Sequence, residues 1–198
     1  TRVRSSAASD VYKRQRWSLP FLWLKCCVIV KGQPMSLLIA SHKTPIGTLN
    51  LISHEEILLG ANFSTISALK QSIDDHYLDF GFKVVRQIPK VSSLINDYFE
   101  GDLDAINAIK VSQPGGAFSQ SAWKSMRRVR AGRVISYAEL AEKSGSPKAV
   151  RAAGSACAKN AIVLVVPCHR IVKTGGALGN YAYGVGKKEW LLGHESLT

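Results

Sequence analysis

The chain reads as an α+β protein: a small N-terminal α/β domain with an antiparallel sheet, then a mainly helical C-terminal domain containing a helix-turn-helix and a Pro-Cys-His-Arg segment. Three observations predict this. Apolar strand patterns separated by turn residues cluster just after Met35. Helix start and stop signals follow one another beyond Phe118. The charge balance changes sign at "VSQPGGAF" (111–118), a stretch rich in turn formers, which places a boundary between 35–112 and 113–198.

The first 34 residues stand apart. They are basic and carry "WSLPFLWLKCCVIV", which imitates a signal peptide, but Lys25 interrupts the apolar run and no small-residue cleavage site follows. The run is also too short to span a bilayer. We read 1–34 as a non-native or disordered extension, with Met35 as the natural start. From there "TPIGTLNLIS" and "EEILLGANF" predict two strands around a turn at His54-Glu55. "TISALKQSIDDHYLDF" predicts one helix with Ile66, Leu69, Ile73 and Tyr77 along its inner face, and "VSSLINDYFEGD" another, stopped by Gly101.

Beyond the boundary, Ala122, Trp123, Met126 and Val129 form the apolar stripe of a helix that Gly132 ends. Ser136 and Glu139 have capping-box spacing and open a short helix ended by Gly145. Ser146-Pro147 is expected to open the next helix, with proline in the first turn, where its missing N–H costs nothing. In it Ala149, Val150, Ala153, Ala156 and Cys157 are expected inward, and Lys148, Arg151, Ser155 and Lys159 outward. Two short helices joined by a glycine turn, the second small-residued and basic on one face, describe a helix-turn-helix. "AIVLVV" then reads as a strand buried on both faces, which Pro167 ends, leaving Cys168, His169 and Arg170 at its tip.

Charge narrows the class. Residues 35–117 hold six Lys/Arg against nine Asp/Glu, whereas residues 118–198 hold thirteen against four. A basic module on a mildly acidic one points to a polyanion, nucleic acid before membrane. The four cysteines lack the spacing of a disulfide framework, so a reducing compartment is expected, the cytoplasm around the nucleoid or the nucleus in a eukaryote. No zinc-ligand spacing occurs. Cys157, within a run of alanines, reads as inert core. Cys168 differs, because a thiol held beside a base or a positive charge is a nucleophile.

"VPCHRIV" followed by "GALGNYAYGVGKKEWLLGHE" resembles the active-site region of the O6-alkylguanine-DNA alkyltransferases, also called methylated-DNA–protein-cysteine methyltransferases. "TPIGTLNLI", "INDYFEGD", "FSQSAWKSMRRVRAGRVISYAELA" and "SPKAVRAAGSACAKN" are similar too, so the likeness runs from about Met35 to Glu195. It implies a DNA repair protein that flips an O6-alkylguanine, chiefly O6-methylguanine, out of the duplex and takes the alkyl group irreversibly onto its own cysteine, once per molecule. Cys168 is then the nucleophile, His169 a general base acting through a water, Glu195 the carboxylate that orients the imidazole, and Tyr137 a proton donor toward guanine N3. Arg151 matches the finger that enters the vacated stack from a helix docked in the minor groove, with Lys148, Ala152, Ser155 and Lys159 against DNA. Asn160 ties the turn before the strand, and Ile171, Tyr181, Ala182 and Tyr183 complete the base pocket. The likeness implies double-stranded DNA as partner, no cofactor, no metal, no membrane and no obligate protein partner, the chain acting as a monomer.

Three positions depart from the family pattern. Tyr183 stands where glycine is usual in the loop walling the pocket, so larger alkyl groups are expected to fit poorly. Ala161 and Val163 stand where prolines often occur, which leaves the turn after Asn160 less rigid. The runner-up is a non-catalytic alkyltransferase-like lesion binder, a class that lacks the cysteine; a transcription regulator or a Cys-His hydrolase comes third. Binding to duplex DNA is expected to weaken steeply with salt, log K falling by about 0.9 per tenfold salt for each phosphate neutralised. Titrations at several salt concentrations check this, and salt-insensitive association would remove the basic face as the DNA surface.

Overall fold

The computed structural model describes residues 36–196, which lie in one compact unit, Pro34–Thr198. The expectation for 1–34 lies outside the described residues. Strands β1 (Leu37–Thr44), β2 (Gly47–His54) and β3 (Ile57–Asn62) form an antiparallel meander; the second turn falls at Glu55-Glu56, one residue later than expected, because His54 still pairs with Ile57. Alternate residues face opposite sides. Leu37, Ile39, Ile52 and Leu59 join Leu69 and Ile73 in one buried cluster, while Leu49, Leu51, Leu58 and Ala61 enter a second.

The expected helix over 65–80 is broken. Helix α1 covers only Ile66–Lys70, and a 3-10 turn covers Asp75–Phe80. Polar side chains close the backbone locally between them: Ser72 Oγ donates to the Leu69 carbonyl, and Asp74 accepts from the His76 amide. All four expected face residues still pack on the same cluster, Leu69 and Ile73 fully and Ile66 and Tyr77 partly. Strand β4 (Phe82–Val84) then pairs with β1, α2 (Val91–Glu100) follows, and β5 (Lys110–Val111) pairs with β3. Gly101 ends α2 at φ 115°, a conformation only glycine adopts without strain. Both outer pairings are parallel, because each outer strand is reached by a helical crossover instead of a hairpin. The sheet, ordered β4-β1-β2-β3-β5, is therefore antiparallel only at its centre.

The rest is mainly helical. α3 (Ala117–Met126) buries Ala122, Trp123 and Met126 and stops one turn earlier than expected; Val129 is buried beyond its end. A two-residue pairing of β6 (Ile135–Ser136) with β7 (Ile171–Val172) brackets α4 (Tyr137–Lys143) and α5 (Val150–Ala158). Ser136 and Glu139 make the full capping box. Ser121 and Ser125 of α3 donate to the Ser144 and Lys143 carbonyls at the end of α4, and Trp123 Nε1 donates to Ala156 of α5 at 2.9 Å. Pro147 does not start α5: the Ala149 amide bonds the Ser146 carbonyl at 2.9 Å, so Pro147 and Lys148 sit in a β-turn ahead of it. Val150, expected inward, is 40% exposed in consequence. α6 (Val185–Ser196) closes the described chain. Among the described residues no helix is long and apolar enough to cross a membrane.

The largest correction concerns "AIVLVV". It is not a strand: Ile162 alone bridges to Ala61, and 163–166 form a fully buried turn with Leu164 at φ 73°. A short apolar run does not separate a buried strand from a buried turn, and here Asn160 decides. Its Oδ1 accepts from the Ile162 amide at 3.1 Å and from Gln113 Nε2 at 3.2 Å, and its Nδ2 donates to the Val166 carbonyl at 2.7 Å. Gln113, in the stretch read as a linker, also accepts from the Ala161 amide at 2.8 Å. A single cluster of buried side chains joins residues on both sides of that stretch. Replacing Asn160 by alanine orphans these buried groups and is expected to cost roughly 3 kcal/mol, read as a loss of unfolding free energy in urea.

Candidate active site

Pro167 leads into a 3-10 turn, Cys168–Arg170, and not a strand tip. The turn is held from both ends. The Cys168 amide donates to the Val166 carbonyl at 2.8 Å, and the Ile171 amide returns to the Cys168 carbonyl. Successive residues of a 3-10 turn point about a third of a revolution apart. Cys168, 7% exposed, borders a cavity of about 400 Å³, while His169 has no exposed surface at all.

Behind the turn lies a buried polar cluster. Glu195 Oε1 accepts from His169 Nε2 at 2.9 Å, from Arg170 Nη2 at 2.8 Å and from Tyr98 Oη at 2.8 Å; Oε2 accepts from Arg170 Nε at 2.9 Å. Arg170 Nη1 reaches the Val129 carbonyl at 2.5 Å. Burial alone would raise the Glu195 carboxyl, but the hydrogen bonds and charges of His169 and Arg170 overcome this and hold it at about 2. Burial lowers His169 despite Glu195, so the imidazole is neutral at pH 7. A neutral ring donating from Nε2 carries a lone pair on Nδ1, and that atom has no hydrogen-bond partner among the described residues. The arrangement fits a base. Burial also pushes the Cys168 thiol up, against an Asn160 hydrogen bond and the charge of Lys188. The expectation of a thiol lowered simply by its neighbours is thus corrected: in a dry site the sulfur holds its proton until a base removes it.

The cavity wall comes from α4, α5, the Asn160 turn and the loop before α6. Tyr137, Asn160, Cys168, Tyr181, Ala182 and Tyr183 line it. Ile171 does not: it is fully buried in β7, and its carbonyl accepts from Lys188 Nζ at 2.5 Å. Cys157, read as inert core, lines the cavity as well, although burial and the nearby Cys168 raise its thiol strongly. The Tyr183 ring meets Tyr181 edge-on at 5.7 Å and Phe63 at 5.9 Å, which fixes its bulk in the wall. Arg151, Ala152, Ser155 and Lys159 are exposed along α5 and its end, and exposed Lys148 stands in the turn before it. Gly154 and Cys157 of α5 border the cavity, so the basic surface and part of the cavity wall share one helix. Among the described residues no group of three His, Cys, Asp or Glu side chains could hold a metal ion.

Sequence reasoning passed over Tyr98, Lys188 and the pairing role of Arg170. Signals existed. Tyr98 sits on the inner stripe of α2 with Val91 and Ile95, where a phenol needs a partner. Lys188, Leu191 and Glu195 recur at helical spacing, so a lysine and a glutamate share a face with a core leucine.

Comparison with known proteins places this geometry. Residues 117–197 match the model of the 6-O-methylguanine DNA methyltransferase DNA-binding domain. The crystal structure of Mycobacterium tuberculosis O6-methylguanine methyltransferase is similar over 81% of this chain and 93% of its own, at TM-score 0.66 and 29% identity. The same organism's OGT in complex with DNA is similar at TM-score 0.68 and 27% identity, over the same shares. A fold and site of this kind define a DNA-alkylation repair class. The methylated-DNA–protein-cysteine methyltransferase of Shigella flexneri is 37% identical over 156 residues, 77% of this chain and 91% of the relative. The human protein of the same name is 50% identical over 76 residues, 38% of this chain and 37% of its own. The chain belongs to the methylated-DNA–protein-cysteine methyltransferase family.

Glu195→Gln leaves a buried guanidinium without its anion and is expected to cost about 3–5 kcal/mol. In the unaltered protein the folded carboxyl lies below its unfolded value. Its stabilisation is therefore complete above pH 4.5 and is lost as pH falls toward about 2. Urea unfolding midpoints across that window check both statements.

Proposed function

We propose that the chain repairs O6-alkylguanine in duplex DNA, chiefly O6-methylguanine, by moving the alkyl group onto Cys168 once and irreversibly. The single observation that carries this reading is Cys168 bordering a cavity of about 400 Å³, room enough for a nucleobase, backed by the His169–Glu195 pair at 2.9 Å. His169 Nδ1 takes the thiol proton through a water. The Cys168 sulfur then attacks the alkyl carbon, forming C–S while C–O6 breaks. The electron pair passes to the guanine ring, which Tyr137 neutralises by donating a hydrogen toward N3. The thioether product has no leaving path, so one molecule serves one lesion. Glu195, fixed by Arg170 and Tyr98, holds the imidazole and stabilises its positive form.

α4 and α5 serve as a helix-turn-helix that lies in the minor groove, with Lys148, Ser155 and Lys159 on phosphates and Ala152 against the strand. Arg151 fills the stack where the base has left. The small residues Ala152 and Gly154 on the open side of α5 let its backbone approach DNA closely. Asn160 fixes the turn beneath the sulfur, and Tyr181, Ala182 and Tyr183 grip the flipped base. The fixed Tyr183 ring favours methyl over bulky groups. Residues 113–198 perform the chemistry and bind DNA as a monomer, while 35–112 buttress the relay through Tyr98.

Incubation with a duplex containing one O6-methylguanine is expected to leave one methyl on the Cys168 peptide, stoichiometrically and without turnover, as peptide mass mapping will read. Cys168→Ala is expected to abolish transfer and retain DNA binding. Arg151→Ala is expected to slow transfer from duplex but spare reaction with a free alkylated base. A methyl group found elsewhere, or repeated turnover, would overturn the reading.

A further inference from the structure

We propose that Lys188 is the counter-ion of the Cys168 thiolate, a positioning residue that makes the sulfur's negative charge tolerable inside the protein. The inference rests on the reading of Cys168 as alkyl acceptor, and it begins with an unusual lysine. Lys188 is only 1% exposed. A buried ammonium costs several kcal/mol unless an anion offsets it. Its Nζ donates to the carbonyls of Ile171 and Leu178, which uses two of three N–H groups and supplies dipoles but no charge. Among the described residues no carboxylate pairs with it. Glu195, two turns along the same helix, is already committed to His169, Arg170 and Tyr98.

The titratable groups around the sulfur leave one choice. α4 presents Tyr137, α5 presents Cys157, the wall loop presents Tyr181 and Tyr183, and the residue after β7 presents Lys173, whose ammonium is solvent-exposed and therefore screened. The sulfur's own turn carries His169, which is neutral, and Arg170, which is turned back onto Glu195. From α6 comes Lys188, a cation with no carboxylate partner. Its position is fixed to the reacting turn, because the Ile171 amide bonds the Cys168 carbonyl while the Ile171 carbonyl holds Nζ. Burial lowers the ammonium, against the Cys168 and Cys157 sulfurs, which favour its charge; reciprocally, Lys188 opposes the burial that raises Cys168. When His169 accepts the thiol proton, each new charge then arises beside a fixed opposite one: imidazolium by Glu195, thiolate by Lys188.

The test follows the pH dependence of iodoacetamide alkylation, read separately on the Cys168 and Cys157 peptides of the full chain. Lys188→Met is expected to raise the Cys168 midpoint by about one pH unit or more, and Lys188→Arg to keep most of the original value. Methyl transfer at neutral pH is expected to fall about tenfold with the thiolate fraction. Affinity for an O6-methylguanine duplex, measured in a Cys168→Ala background, is expected to stay the same with and without Lys188→Met. A folded Lys188→Met protein with an unmoved Cys168 midpoint overturns the proposal even if transfer slows, since slowing alone fits a structural role. So does a shift confined to Cys157. Should Lys188→Met fail to fold, the unaltered protein decides: the Lys188 side-chain nitrogen resonance must step at the Cys168 midpoint and lose that step in Cys168→Ser. A flat resonance overturns the idea. Absence of methyl on Cys168 after incubation with the duplex would instead sink the transfer reading, which the thiol titration does not touch.

Discussion

The site depends on one buried carboxylate. Glu195 accepts from His169, Tyr98 and both sides of the Arg170 guanidinium, and Arg170 ties the cluster to the Val129 carbonyl. These groups come from α2, the turn after α3, the Cys168 turn and α6. Each hydrogen bond to the carboxylate is made in a dry interior, where losing it would be costly, so the four elements are held in one arrangement. The imidazole orientation is therefore a property of the whole fold. The same carboxylate that positions the base also docks the last helix.

The electrostatics follow from dryness. Burial raises the Cys168 thiol and lowers the His169 imidazole, which leaves a neutral acid and a neutral base at rest. On the proposed relay, proton transfer creates two charges at once, in a place where an isolated charge is costly. Fixed opposite charges behind each group lower that cost without solvent reorganisation, the general device by which folded sites favour charge that develops only during reaction.

Much of this was legible in the chain. The Ser136–Glu139 box and the Gly101 stop obey short-range rules and stand as read, and the β2–β3 turn lies one residue from its expected place. So does the outward row of Arg151, Ser155 and Lys159. The misreadings share a cause. "AIVLVV" is apolar whether its backbone bonds run to a neighbouring strand or close on themselves, and the choice belongs to Asn160 and Gln113, the latter 47 residues away from its partner in sequence. The helix over 65–80 fails because Ser72 and Asp74 offer the backbone local partners. Tyr98 and Glu195 meet across 97 positions, a pairing that no periodicity reports.

The contact of Phe63 with Tyr183 has a consequence for the shape of the cavity. Phe63 follows β3 in the acidic half, and its ring braces a wall of the cavity built by the basic half. The width of the cleft is thus shared property. Without Phe63, Tyr183 would lose that brace. A change at the end of β3 is thereby passed to the cavity wall through Phe63, at a position that does not itself line the cavity.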